Sequence, residues 1–286
     1  MTRLGTAIAL TVAVLAAAAP EATASVTVGM VAPTTPTASC SGDFDLVQES
    51  PDVSYVIPQG VASPVITSWS TNAAPGSGQQ VALKVFEKVA DPEVFRQVGH
   101  DGPRTLTGGA LNTFNSDLPV KPGDFLGLGF QSASAPNGCL FGSAIGNWSR
   151  IGYLNDGETS QVGEFHAETG FVNVSAVIEP SHHFTIGSIR RNRRKGTARL
   201  NVTVPGPGAL ALSGKGVRAQ QASGRGPLAA KTVSAAGTVK LLVKAKGRKR
   251  AQLNDTGRVK LKVSITYGPT GGTPETQKRK LKLRKT

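Results

Sequence analysis

The stretch GRVKLKVSITY (Gly257 to Tyr267) alternates so strictly that it leaves one backbone conformation open. Val259, Leu261, Val263, Ile265 and Tyr267 share one parity; Arg258, Lys260, Lys262, Ser264 and Thr266 share the other. A pleated strand sends successive side chains to opposite faces, whereas a helix would scatter both classes around its circumference. Three more segments repeat the pattern. TVKLLVKAK places Val239, Leu241, Val243 and Ala245 inward, with Lys240, Lys244 and Lys246 outward beside Leu242; ARLNVTV turns Ala198, Leu200, Val202 and Val204 inward. KRKLKLRK closes the chain with Leu281 and Leu283 inward and Lys280, Lys282 and Arg284 outward. Neighbouring strands lie about 4.8 Å apart, so the expected product is a sheet with one lysine-studded face.

The preceding half reads as strands too. SYVI from Ser54, VITSWS from Val65, QVALKVFEKV from Gln80, FRQVGH from Phe95, FLGLGF from Phe125 and GFVNVSAVIE from Gly170 are short apolar or alternating runs. In VALKVFE, Val81, Leu83 and Val85 point to a core, and Ala82, Lys84 and Phe86 to a mixed face. The 34 glycines and 18 prolines of 286 residues exceed the usual combined share of about 12% and fall between these runs as turns. No stretch carries a helical period with caps over three turns, and no solenoid repeat is present. The expected class is all-β, with two sandwiches.

Charge divides the chain in two. Residues 1–180 hold 7 Lys and Arg against 16 Asp and Glu, whereas residues 181–286 hold 25 against 2. The overall +14 is thus a strongly basic second half joined to an acidic first half. Such asymmetry predicts two domains, 40–180 and 181–286, with the boundary in IEPSHHF after a strand that ends at Pro180.

The first 24 residues set the expected compartment. Arg3 precedes a run from Leu4 to Ala19 that is apolar apart from Gly and Thr, and Ala22-Thr23-Ala24 gives a small-x-small cleavage pattern. The run is shorter than the roughly 20 residues a bilayer span needs, so residues 1–24 read as a secretory signal peptide. Residues 25–39 read as a flexible, polar leader. No later segment is apolar enough to span a membrane, and a secreted or cell-surface location follows. The two cysteines, Cys40 and Cys139, form an even pair in an exported chain and predict a disulfide. In the chain-entropy picture a loop of that length stabilises by about 4 to 5 kcal/mol.

Two resemblances sharpen the architecture. LPVKPGDFLGLGF (Leu118 to Phe130), with Val-x-x-Gly-Asp making a turn before an apolar strand, resembles the hairpin of extracellular jelly-roll modules. Pro122-Gly123 suits a type II turn that Asp124 can brace by accepting backbone hydrogen bonds. RRNRRKGTARLNVTVPGPGALALSGKG and GTVKLLVKAKGRKRAQLNDTGRVKLKVSITY together resemble the small basic immunoglobulin-like or fibronectin-III-like domains at the C-termini of exported bacterial proteins. That resemblance implies an extracellular accessory domain and no particular chemistry.

Candidate sites follow from chemistry. The stretch SIRRNRRKG concentrates Arg190, Arg191, Arg193, Arg194 and Lys195, either as a solvated loop or as an attachment point for an anionic polymer. Only Phe184 and Tyr267 are aromatic beyond His183 other than histidine, too few for base stacking, so specific nucleic-acid binding is not expected. Trp69 and Trp148 are each core or sugar platform, with Trp148, in glycine-flanked IGNWSRIGY, the better platform. Glu164, His166 and Glu168 share a strand face and could converge on a cation or simply line a polar surface. His182-His183 reads as linker, with alternation splitting the rings to opposite sides. Asp43, Asp45, Glu49 and Asp52 cluster without a recognised calcium-loop spacing. No nucleophile elbow or P-loop is present, and no cofactor, metal or catalytic residue is expected.

These features point to a non-catalytic extracellular or envelope module. The basic domain would hold an anionic envelope polymer or saccharide through Lys240, Lys244, Lys260, Lys262, Lys280 and the Arg190 to Lys195 cluster, while the acidic domain binds a saccharide or protein. An extracellular hydrolase with paired carboxylates and a purely structural spacer are the alternatives. Oligomeric state is open.

Overall fold

Eighteen strands and one helix account for the regular structure in a computed structural model, which describes residues 25–36, 38–49, 54–90, 94–161, 165–218 and 230–286. The first half contains β1 (Val26–Met30), β2 (Ala38–Cys40), β3 (Phe44–Gln48), β4 (Pro64–Asn72), β5 (Gln80–Ala90), β6 (Val94–Thr105), β7 (Leu111–Pro119), β8 (Phe125–Phe130), β9 (Asn137–Gly152), β10 (Phe165–Val172) and β11 (Val174–Pro180). The second contains β12 (Thr185–Asn192), β13 (Thr197–Val204), β14 (Gly208–Ser213), β15 (Ala230–Val233), β16 (Gly237–Lys244), α1 (Arg248–Thr256), β17 (Arg258–Pro269) and β18 (Glu275–Arg284).

In the first half, the sheet β1-β11-β4-β7 faces β10-β9-β3-β8-β5-β6, and β2 pairs with β9. Val28, Ile66, Trp69, Ala176 and Ile178 from the smaller sheet meet Leu46, Leu83, Val85, Leu126 and Leu128 from the larger one in a single core. Each sheet interleaves early and late strands, the double Greek-key order of a jelly roll, with the β9–β10 hairpin added outside β3. The turn before β8 forms as its sequence requires: Lys121 N donates to Asp124 Oδ2 at 2.7 Å, and Gly123 takes a φ of 94°.

The outer side of the larger sheet is not the mixed surface that alternation suggests. Segment 153–160 runs along β6, with Gln97 N donating to Glu158 O and Ser160 N to Phe95 O. It covers a second apolar cluster of Val47, Phe86, Phe95, Ile151 and Leu154. Ala82, Lys84 and Phe86 are consequently as buried as Val81, Leu83 and Val85.

The second half stacks β12-β13-β16 on β15-β14-β17-β18, the three-on-four arrangement of immunoglobulin-like and fibronectin-III-like sandwiches. Its core, from Phe184 to Leu283, shares no residue with that of the first half. The alternation of β13, β16 and β17 is reproduced residue by residue: Leu200, Val202, Leu241, Val243, Leu261, Val263 and Ile265 are buried.

Three expectations need correction. Residues 25–39 are not a flexible leader throughout: β1 pairs antiparallel with β11 over five residues, Val26 opposite Ile178 to Met30 opposite Val174, and Val28 is buried. Gly29 is required there, because a Cβ would sit 2.3 Å from Val174 O. Second, RRNRRK is not one loop. Arg190 and Arg191 belong to β12, and only the following turn joins it to β13. Third, α1 is a helix in a segment read as sandwich. Gly257 closes it in the left-handed conformation and Leu253 anchors it to the core, although no acidic residue stands in its first turn. The region read as signal peptide lies outside the described residues.

Candidate polyanion-binding surface

The pairing of β17 with β18 gathers the cations. Arg258 stands opposite Arg284, Lys260 opposite Lys282, Lys262 opposite Lys280, and Ser264 opposite Lys278. Because Val259, Leu261, Val263, Leu281 and Leu283 are buried, strand parity sends all seven cations to the outer face. Successive cations along a strand are about 6.8 Å apart, and the two rows about 4.8 Å apart. After residue 180 the acids are Asp255 and Glu275 alone, and Glu275 pairs with Tyr267 on the other parity. Among the described residues no ion pair reaches any of the seven. Like charges directly opposite oppose pairing, on the scale of about 0.2–1 kcal/mol for each pair. The apolar inner face overrides that cost, leaving an outer face whose field favours any polymer carrying negative charge.

A second cationic face lies on the other sheet. Arg190 is opposite Arg199, Lys240 opposite Asn201, and Lys244 opposite Thr197, all on the outward parity of β12, β13 and β16. The two faces connect around one edge, where Arg191 Nε of β12 donates to Lys282 O of β18 at 3.0 Å. Arg193, Arg194 and Lys195 sit in the β12–β13 turn, whose Arg193 O accepts from the chain's final amide, Thr286 N. Lys285 N donates to Gly257 O, so this turn, the C-terminus and the start of β17 share the domain end remote from the first sandwich. The predicted cations therefore divide: Lys260, Lys262 and Lys280 on one face, Arg190, Lys240 and Lys244 on the other, Arg191 at the joining edge, and Arg193 to Lys195 at the end.

Sequence reasoning missed Arg199, Arg258, Lys278, Lys282 and Arg284 as site residues. Alternation shows that Lys282 and Arg284 point outward, but the register that sets them against Lys260 and Arg258 depends on the hairpin between β17 and β18.

The remaining candidates resolve differently. Cys40 and Cys139 are bonded and tie β2 to β9, which belongs to an oxidising compartment. Trp148 is no ligand platform: it is 8% exposed, lies in the first core and donates from Nε1 to Thr169 O at 2.9 Å. The alternating backbone of β9 turns it inward despite its glycine-flanked setting. The acids after Cys40 disperse. Asp43 accepts from Ser132 N, which holds its carboxyl below the usual range; Asp45 is buried against Lys84; Glu49 pairs with Lys88. Asp52 and Glu164 lie outside the described residues, as do the side chains of His166 and Glu168. Among the described residues no helix is long and apolar enough to cross a membrane.

No family model matches the chain, and no curated protein matches it. Among solved structures, it is similar to the glycoside hydrolase domain of Endo-D from Streptococcus pneumoniae R6, at 9% identity and a TM-score of 0.21. The match covers 91% of this chain and 37% of that one, and at that TM-score it carries no argument about activity.

Proposed function

We propose that the protein is a non-catalytic, exported envelope module whose basic C-terminal sandwich holds an anionic polymer. The observation that carries this reading is the ladder Arg258/Arg284, Lys260/Lys282 and Lys262/Lys280, three successive like-charge pairs without an acid among them. A purely structural spacer has no use for such a conflict, whereas a polymer with regularly spaced phosphates or carboxylates relieves it along its whole length. The two cationic faces and the edge between them let one flexible polymer wrap the domain.

The acidic sandwich supplies the second interaction, with a saccharide or protein. An open cavity of about 370 Å³ beside β6 and β7, lined by His100, Asp101, Arg104, Asn115, Ser116 and Asp117, offers the polar donors and acceptors such a ligand needs. The test of the electrostatic reading is envelope retention of a K260E/K262E/K280E variant. Retention falls sharply if the ladder is the anchor; unchanged retention contradicts it.

A further inference from the structure

The segment between the sandwiches carries His182 and His183 in succession. Strand alternation would place their rings on opposite sides, but residues 181–184 are not strand. Ser181 N donates to Ser63 O and His183 N to Ser181 Oγ, and in this non-strand conformation the two rings lie with centroids 4.5 Å apart. His183 Nε2 lies 2.7 Å from Asp117 Oδ1 on β7. One ligand atom from each of Asp117, His182 and His183 falls within 4.8 Å of the others. On the opposite side of the ring, Glu275 Oε2 of β18 lies 3.7 Å from His183 Nδ1. Two atoms here are buried without a hydrogen-bond partner, His182 Nδ1 and Glu275 Oε2.

We infer that Asp117, His182 and His183 form a binding site for a transition-metal dication, best suited to zinc, at the junction of the two sandwiches. Two imidazole nitrogens and one carboxylate oxygen match the ligand preference of zinc, whereas calcium and magnesium require shells made of oxygen. Bonds of about 2.0–2.2 Å in a tetrahedral site place ligand atoms about 3.3 Å apart. The Asp117–His183 contact therefore opens by about half an ångström. Those side chains are 55% and 47% exposed, which leaves room for the opening on their solvent side. With Nε2 toward the metal, His183 turns Nδ1–H toward Glu275 Oε2, 3.7 Å away, and a small closure would make the outer carboxylate hydrogen bond that fixes the ring of a metal-bound histidine. The fourth coordination position faces solvent and takes water.

The consequence is geometric. Asp117 belongs to the first sandwich, Glu275 to the second, and the histidines to the connection between them. Other polar contacts across the junction are sparse, among them Ser63 Oγ to Pro205 O at 3.1 Å and Thr273 Oγ1 to Glu179 Oε2 at 3.2 Å. Bound metal would fix the angle between the polymer-holding domain and the cavity beside β6 and β7, whose lining includes Asp117.

The experiment uses the disulfide-bonded full chain after chelation, titrated calorimetrically with zinc and followed by cobalt(II) absorption. Expected are one zinc per chain, cobalt bands of a four- or five-coordinate nitrogen/oxygen site, and a narrower spread of interdomain distances in solution scattering. H182Q, H183Q and D117N should each weaken binding at least tenfold with unchanged melting of the metal-free protein, and E275Q should weaken it by about tenfold. Absence of stoichiometric binding, or binding that none of the four substitutions alters, overturns the assignment.

Discussion

Lys84 Nζ lies 3.0 Å from Asp45 Oδ1, with both side chains sealed from solvent between the larger sheet of the first sandwich and segment 153–160. Lys84 also donates to Leu154 O, Leu154 N donates to Asp45, and the Tyr153 ring lies 3.5 Å from the ammonium. Gly129 makes room for this pair: a Cβ there would meet Lys84 Cε at 2.4 Å and Asp45 Oδ1 at 2.8 Å. Removing one partner strands a buried charge, so K84M is expected to lose about 3–5 kcal/mol in denaturant unfolding. The double variant K84M/D45L should recover much of that loss.

The same pair sets a pH dependence. Burial, the largest influence, raises the Asp45 carboxyl to about 6 despite the neighbouring Lys84, and burial pushes the Lys84 ammonium down. Between the unfolded carboxyl value near 4 and the folded value near 6, the native state holds the Asp45 proton more firmly than the unfolded chain does. Stability contributed by this group is therefore present below pH 4 and lost as pH rises through 6. Wild type should accordingly lose stability relative to D45N as pH rises from 4 to 7. Chemical denaturation of both proteins across that range checks the sign.

The disulfide joins Cys139, fully buried, to the short β2 at the margin of the larger sheet. Reduction should lower stability by about 4–5 kcal/mol, read as a fall in melting temperature with reductant that a C40S/C139S variant reproduces without it.

Trp148 is a packing residue, and it should behave as one. W148A is expected to cost about 3–5 kcal/mol, and emission from Trp148, read in a W69F variant because Trp69 donates to the cavity residue Asp101, should not respond to added saccharides. A saccharide-dependent quench confined to Trp148 would contradict its burial.

The ladder gives opposite expectations for stability and binding. K282E converts the central like-charge pair with Lys260 into an attractive one, which should raise stability by about 0.2–1 kcal/mol while weakening polyanion binding. Calorimetric unfolding of K282E beside a polyphosphate titration reads both.

What the sequence made legible follows from the range of each signal. Alternation is local, so β13, β16, β17 and the inward leucines of β18 could be read directly, as could the Val120 to Asp124 turn and the cysteine pair. Register is not local. The opposition of Lys260 to Lys282 requires knowing how β17 meets β18, and the pairing of Val28 with Ala176 joins positions at opposite ends of the first half. Burial from an added layer escaped for a related reason: nothing in VALKVFE reveals that Leu154 will cover Lys84 and Phe86. The helix α1 begins with Arg248, Lys249 and Arg250, against the preference of a helix N-terminus for acids, so its usual starting signal is missing. His182 and His183 lie in the linker as the sequence suggests, but residues 181–184 are not strand, so alternation does not govern their rings, which meet at 4.5 Å with planes 45° apart.

The most direct measurement is the salt dependence of polyphosphate binding to the full chain and to its K260E/K262E/K280E variant. If the ladder is the anchor, affinity of the wild type falls steeply with salt, and the variant binds more weakly with a slope shallower by about two to three. Equal affinities and equal slopes would show that the charge of the second sandwich is diffuse and that the β17–β18 face does not hold the polymer.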